Sequence, residues 1–105
     1  MDWIKIFNSE QDMRQRLGET PKLLIVRNKR LCVALHNDNL CIVDDRCPHN
    51  GESLSKGSIN FLGEIVCPWH GYRFNLQNGR ECAERTPDLS TYQTKNDDLG
   101  IYVGL

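Results

Sequence analysis

Cys47-Pro48-His49-Asn50-Gly51 and Cys67-Pro68-Trp69-His70-Gly71 are the two stretches whose reading decides this chain. Each carries one soft thiolate donor and one imidazole donor within a few residues. Seventeen residues, 50–66, lie between His49 and Cys67, enough to fold one loop back against the other. Iron–sulfur clusters take thiolates, and imidazole also suits iron. Cys47 and Cys67 could therefore hold one iron of a binuclear cluster while His49 and His70 hold the second. A Cys-x-His pair in an extended loop straddles two adjacent irons more easily than it shares one metal.

The same four residues could instead build a structural zinc site. The single residue between Cys47 and His49 is tighter than the roughly two to four usual for chelating one zinc. The repeated Cys-Pro opening stiffens each loop, because proline fixes its own φ and restrains the residue before it. Gly51 and Gly71 follow the histidines, where the backbone must pass close to a cluster or take positive φ. Formal charges favour easy reduction. Two ferric ions, two sulfides and two thiolates sum to zero, whereas four thiolates would leave two more negative charges. Histidine ligation accordingly raises the potential.

Outward from these loops the chain is ordinary. Its 105 residues suit one domain, 1–105, with a cluster-bearing insertion at about 45–75 mounted on a larger β base. Hydrophobic residues make up 39% and charged residues 26%, with a net charge of −1. That balance leaves no electrostatic footprint for nucleic acid or an anionic membrane. The apolar stretches Leu23–Val26 and Leu31–Leu35 are too short to span a bilayer. The start, Met1-Asp2-Trp3-Ile4-Lys5, lacks secretory features. Five cysteines without disulfide spacing suit a reducing compartment, so the cytoplasm is expected.

Short β-prone segments dominate: Trp3–Phe7, Lys22–Arg27, Leu31–Leu35, Leu40–Asp44, Glu64–Cys67, Tyr72–Leu76, Thr91–Lys95 and Ile101–Val103. Turn formers separate them at Asn28-Lys29-Arg30, His36–Asn39, Asn78-Gly79 and Asn96–Asp98. Asn78-Gly79 is the strongest hairpin signal. One helix is expected from Ser9 to about Leu17, capped by Ser9, with Met13 and Leu17 on one face. Close strand spacing points to an all-β architecture.

The runs C-P-H-N-G and C-P-W-H-G-Y-R-F resemble the two motif halves of Rieske proteins, in spacing as well as in residues. The resemblance implies a three-sheet antiparallel β architecture with a small cluster-binding subdomain and one short helix. It implies a [2Fe-2S] cluster on Cys47, His49, Cys67 and His70, with the histidines toward solvent. It further implies a soluble ferredoxin, a monomer, that takes single electrons from a flavin-dependent reductase and passes them to a terminal oxygenase or similar acceptor. No catalytic residue is expected. A Rieske-like small subunit of a larger oxidoreductase, such as assimilatory nitrite reductase, and a zinc-stabilised interaction module remain as alternatives.

Departures from the family pattern carry information. Rieske subunits of respiratory complexes hold an extra cysteine in each loop, joined as a disulfide. Glu52 and Trp69 occupy those positions here. Those proteins also supply serine and tyrosine hydroxyls after the second motif, where this chain has Tyr72 and Phe74. Fewer hydrogen bonds to the cluster imply a potential near the lower end of the Rieske range. The third loop expected to cover the cluster is Arg85-Thr86-Pro87-Asp88.

Other residues invite plainer readings. Hairpin pairing around Asn37-Asp38 sets Cys41 opposite Ala34, so Cys32 and Cys41 are small hydrophobes rather than a disulfide. His36 reads as a solvated turn residue. Trp69 could shield the cluster or simply pack the subdomain, and Leu54 and Pro87 could join it in an apolar collar. Glu81, Glu84 and Asp88, interrupted by Arg80 and Arg85, read as a solvated face.

Overall fold

A computed structural model describes residues 1–105. Three antiparallel sheets are built from ten strands in chain order. These are β1 (Trp3–Phe7), β2 (Lys22–Val26), β3 (Lys29–His36), β4 (Asn39–Asp44), β5 (Ser58–Ile59), β6 (Glu64–Val66), β7 (Arg73–Asn75), β8 (Thr91–Tyr92), β9 (Thr94–Asp97) and β10 (Gly100–Gly104). The first sheet orders β1-β10-β9, the second β2-β3-β4-β8 and the third β5-β6-β7.

One helix, α1 (Glu10–Leu17), follows β1. Ser9 caps it by accepting from the Asp12 amide at 3.0 Å, and Asp12 reaches back to the Asn8 amide at 3.0 Å. This reciprocal pairing satisfies donors that the first turn leaves open. Met13 and Leu17 are its buried residues.

The second sheet is the hinge of the design, because strand alternation sends its side chains into two different cores. Leu31 and Val33 of β3 and Ile42 of β4 join Phe7, Met13, Leu17, Ile101 and Val103 on one face. Cys32, Ala34 and Val43 turn the other way, onto Leu54, Ile65, Phe74, Leu76 and Leu89. Burial on both faces explains why residues 31–34 read as an unbroken apolar run rather than an alternating one. The third sheet closes the second core and carries the loops of interest.

Several expectations shift in detail. The Lys22–Arg27 segment stops at Val26, because Arg27 and Asn28 form the turn, both at positive φ. Asn37 and Asp38 make the matching two-residue turn before β4, and the resulting register does set Cys41 opposite Ala34. Asn78-Gly79 turns the chain, yet its hairpin is stunted to a single bridge between Phe74 and Glu81. The Thr91–Lys95 segment splits at Gln93, pairing with β4 through β8 and with β10 through β9. Strand β5 and a 3-10 turn at Leu54–Lys56 carried no readable periodic signal, each being only two or three residues long. Asn78 and Gly79 aside, the strongest turns are thus the two whose central residues both adopt left-handed backbone.

Candidate metal centre

Both ligand-bearing loops are hairpin ends with one backbone plan. The first, residues 47–52, is closed by the Arg46–Ser53 bridge, and the second, residues 67–72, by the Val66–Arg73 pair. In each loop the cysteine amide donates to the carbonyl five residues on: Cys47 to Glu52 at 2.9 Å, Cys67 to Tyr72 at 2.8 Å. Gly51 and Gly71 both take positive φ, as does His70 itself. These tight turns present cysteine and histidine from the same loop in different directions.

Anchoring differs between the loops. Asp45, 1% exposed, ties the first loop down: it accepts from the Ser55 amide at 2.8 Å and from the Ser53 hydroxyl. The second loop hangs directly on the β6–β7 hairpin, whose Ile65 and Phe74 are paired and fully buried. Loops from chain positions far apart are thereby anchored on one shared core that includes Leu54, Ile65 and Phe74.

The four candidate donors divide by depth. Cys47 and Cys67 are each 1% exposed and lie within hydrogen-bonding reach of one another. His49 is half-buried and His70 exposed, their rings 5.5 Å apart between centroids and inclined at 50°. The Nδ1 atom of His49 is buried with no hydrogen-bond partner. A buried polar atom without a partner is costly, and a metal ion is one way to satisfy it. Burial pushes the Cys67 thiol up, and the neighbouring Cys47 adds to that, offset only in part by hydrogen bonding with the Trp69 backbone and the Asn50 side chain. Two adjacent buried thiols ionise together only when a cation compensates them.

The placement of the donors bears on which metal centre they suit. No three of the metal-binding side chains meet at a common point, as a tetrahedral zinc site would require. Two thiols on the inner side and two imidazoles on the outer side instead suit a binuclear core with two protein donors per iron.

Tyr72 and Arg85 build the wall beside His49. The Tyr72 ring stacks on the imidazole at 3.8 Å with 8° between planes. The Arg85 guanidinium lies 3.8 Å from the Tyr72 ring centroid. Glu81 fixes Arg85: its carboxylate accepts from Arg85 Nε and Nη2, both at 2.9 Å, and from the Arg85 amide at 2.8 Å. Those contacts, led by the Arg85 guanidinium, hold the Glu81 carboxyl well below the usual carboxylate range.

Glu81 is therefore not part of a solvated face. It is 1% exposed. The sequence offers no sign of this, since Glu81 and Arg85 are four apart without lying on a helix. The third loop reaches the site through Arg85 and through Asp88, which shares a hollow with Cys47 and His49. Pro87 is exposed and Leu54 is fully buried in the core, so neither forms a collar with Trp69. Trp69 is 58% exposed and stands edge-on to His70 at 5.7 Å, which rules out the packing role. His36 is half-buried, because Gly63 brings the β5–β6 turn against its ring. All five thiols are free.

Comparison with known proteins agrees with this geometry. The family model of the Rieske [2Fe-2S] domain matches residues 2–94. The chain is 37% identical over 62 residues to the 3-phenylpropionate/cinnamic acid dioxygenase ferredoxin subunit of Photorhabdus laumondii, a match covering 58% of this chain and 59% of that protein. Its fold is similar to the ferredoxin of carbazole 1,9a-dioxygenase from Nocardioides aromaticivorans, with TM-score 0.82 and 22% identity over 98% of this chain and 97% of the other. It also matches a chain in the complex of reduced oxygenase and oxidized ferredoxin of carbazole 1,9a-dioxygenase, with TM-score 0.80 and 26% identity over 96% of this chain and 100% of the other. A [2Fe-2S] cluster is the cofactor this family holds, and a chain matched over nearly its whole length, with paired buried thiols beneath paired outer imidazoles, belongs to the Rieske [2Fe-2S] domain family.

Proposed function

We propose that this chain is a one-electron carrier in which Cys47 and Cys67 hold the inner iron of the cluster and His49 and His70 the outer one. The observation that carries this reading is the graded burial of the four donors, from sealed cysteines to an exposed His70 with Trp69 beside it. A cluster bound this way exchanges electrons through its histidine edge while the protein keeps water from its cysteine edge. The chain's own residues supply orientation and shielding, and the reading assigns no catalytic residue.

Partners follow from the relatives. A ferredoxin subunit of a dioxygenase and a ferredoxin in complex with its oxygenase support a terminal oxygenase as acceptor, with a flavin-dependent reductase as donor. Contacts at Trp69 and His70 would be small and short-lived, as a shuttle requires. Residues 1–105 act as one domain in this reading, because the two cores share strands β3 and β4. No helix is long and apolar enough to cross a membrane, and the five free thiols suit a cytoplasmic site of action.

EPR of the anaerobically purified, dithionite-reduced protein tests the reading. The expected signal is rhombic, with the low average g of mixed histidine and cysteine ligation. A colourless preparation without iron or acid-labile sulfide overturns it. Stable copurification with one large catalytic chain would replace the free shuttle by a resident subunit.

A further inference from the structure

The two imidazoles are held very differently. His70 sits on an exposed, positive-φ corner, with the His49 ring tilted against it and Trp69 edge-on, and nothing stacked flat on its ring. His49 lies flat beneath Tyr72, and Tyr72 lies beneath a guanidinium that Glu81 grips through Nε and Nη2 while also accepting from the Arg85 amide. Glu81 spends nearly all its acceptor capacity here, also taking the Ala83 amide at 3.0 Å. A fully buried carboxylate in a loop that is otherwise exposed from residue 82 to 85 has one evident effect: it holds the Arg85 plane in place. Burying such a group is favourable only when it is fully paired.

The clamp is also tied to the cluster loops from behind. Glu81 bridges to Phe74 on β7, two residues beyond Tyr72, and the Asn75 amide donates to the Arg80 carbonyl at 2.9 Å. Tyr72 and Glu81 therefore lie on two segments joined across the Phe74–Glu81 bridge, while His49 comes from the other loop. The stack is the point where the second and third loops press on a ligand of the first.

Resting on the ligand reading above, we propose that Tyr72, clamped by Arg85 and Glu81, is a positioning residue that fixes the ring plane of His49 and so the grip of that histidine on its iron. Aromatic stacking and a partly desolvated cation over a ring hold such a plane with useful strength. His70 has no such clamp, so the two histidines are inequivalent: one is held, the other is free to meet a partner.

The test uses the reduced holoprotein and two readouts: pulsed-EPR couplings of the two imidazole nitrogens, and the rate of iron release to a chelator. Tyr72→Phe keeps the stack and should match the parent in both. Tyr72→Leu should blur the coupling of one imidazole only and speed iron release roughly tenfold. Arg85→Gln, at a side chain 46% exposed, should move both readouts in the same direction by a smaller factor. Should Tyr72→Leu fail to accumulate, Arg85→Gln decides alone. Parent-like couplings and release in these variants overturn the proposal, as does a Tyr72→Phe protein that behaves like Tyr72→Leu. A lowered unfolding temperature with unchanged couplings also overturns it, since that is mere packing. If the parent itself gives no rhombic cluster signal, the ligand reading fails and this proposal falls with it.

Discussion

Gly79 and Leu89 meet backbone to backbone: the Leu89 amide donates to the Gly79 carbonyl at 2.8 Å, and a Cβ on Gly79 would stand 1.9 Å from the Leu89 carbonyl oxygen. This contact pins the far end of the third loop to the Asn78-Gly79 turn. Between its two anchors the loop carries Glu81 and Arg85 to the Tyr72 ring.

Gly79→Ala should therefore be among the costliest single-methyl additions in the chain. It meets a carbonyl head-on and forces alanine to φ +77°, for a loss of about 3 kcal/mol. Gly18→Ala is the control. It also needs a sparsely populated backbone, at φ +59° and ψ −137°, but has no atom within 4 Å of the added carbon, so only backbone strain, about 2 kcal/mol, is expected. Urea unfolding of both variants measures the gap; equal losses would show that the Gly79–Leu89 contact is soft.

Cys47→Ser and His70→Ala should each abolish normal cluster assembly, while Cys41→Ser leaves it intact. Cys41 is partly buried against the second core and its thiol is pushed up by that burial alone. Cys32 goes further, to about 12, mainly through burial. Iron and acid-labile sulfide analysis reads the outcome, and full iron occupancy in His70→Ala counts heavily against its role as ligand.

Redox titration should give a midpoint in the lower part of the Rieske span, which runs from roughly −150 to +300 mV. Phe74 is fully buried and has no hydroxyl to offer a cluster sulfur. The Arg85 cation, though close, is neutralised by Glu81, so it adds little to the field that stabilises an added electron. A strongly positive midpoint would falsify this account.

Glu81→Gln should destabilise the fold by about 2 kcal/mol at pH 7, below the roughly 3–5 kcal/mol for breaking a fully buried pair, because Arg85 keeps half its surface in water. The pH dependence follows from the sign of the shift. Folding lowers the Glu81 carboxyl below its ordinary value of 4.5, so the unfolded chain takes up its proton first. The advantage is complete above that value and fades as pH falls below it. Urea midpoints of parent and variant should stay a constant distance apart from pH 8 to about 5.5 and converge in more acid solution.

Much of the scaffold is legible in the sequence. Trp3–Phe7 and Leu40–Asp44 alternate or run apolar between turn residues, and Ser9 announces the helix by capping chemistry. Arg27 escaped because a two-residue turn with two left-handed positions had no glycine to mark it. Glu81 escaped for a deeper reason. Nothing local distinguishes a carboxylate that faces water from one that faces a guanidinium folded back from the next turn.

The primary structure alone supplied the proposed donors, thiolates and imidazoles whose types suit a mixed-ligand binuclear iron centre. It also determined the β character, through side chains that favour pleated, half-buried surfaces. Tertiary structure alone decided depth and inequivalence: which donors are sealed, which imidazole is clamped, and where the third loop bears on the site. The physical reason is range. Ligand type and strand period are properties of neighbouring residues, whereas the Glu81–Arg85–Tyr72–His49 stack exists only once segments more than twenty residues apart are brought together by two cores sharing one sheet.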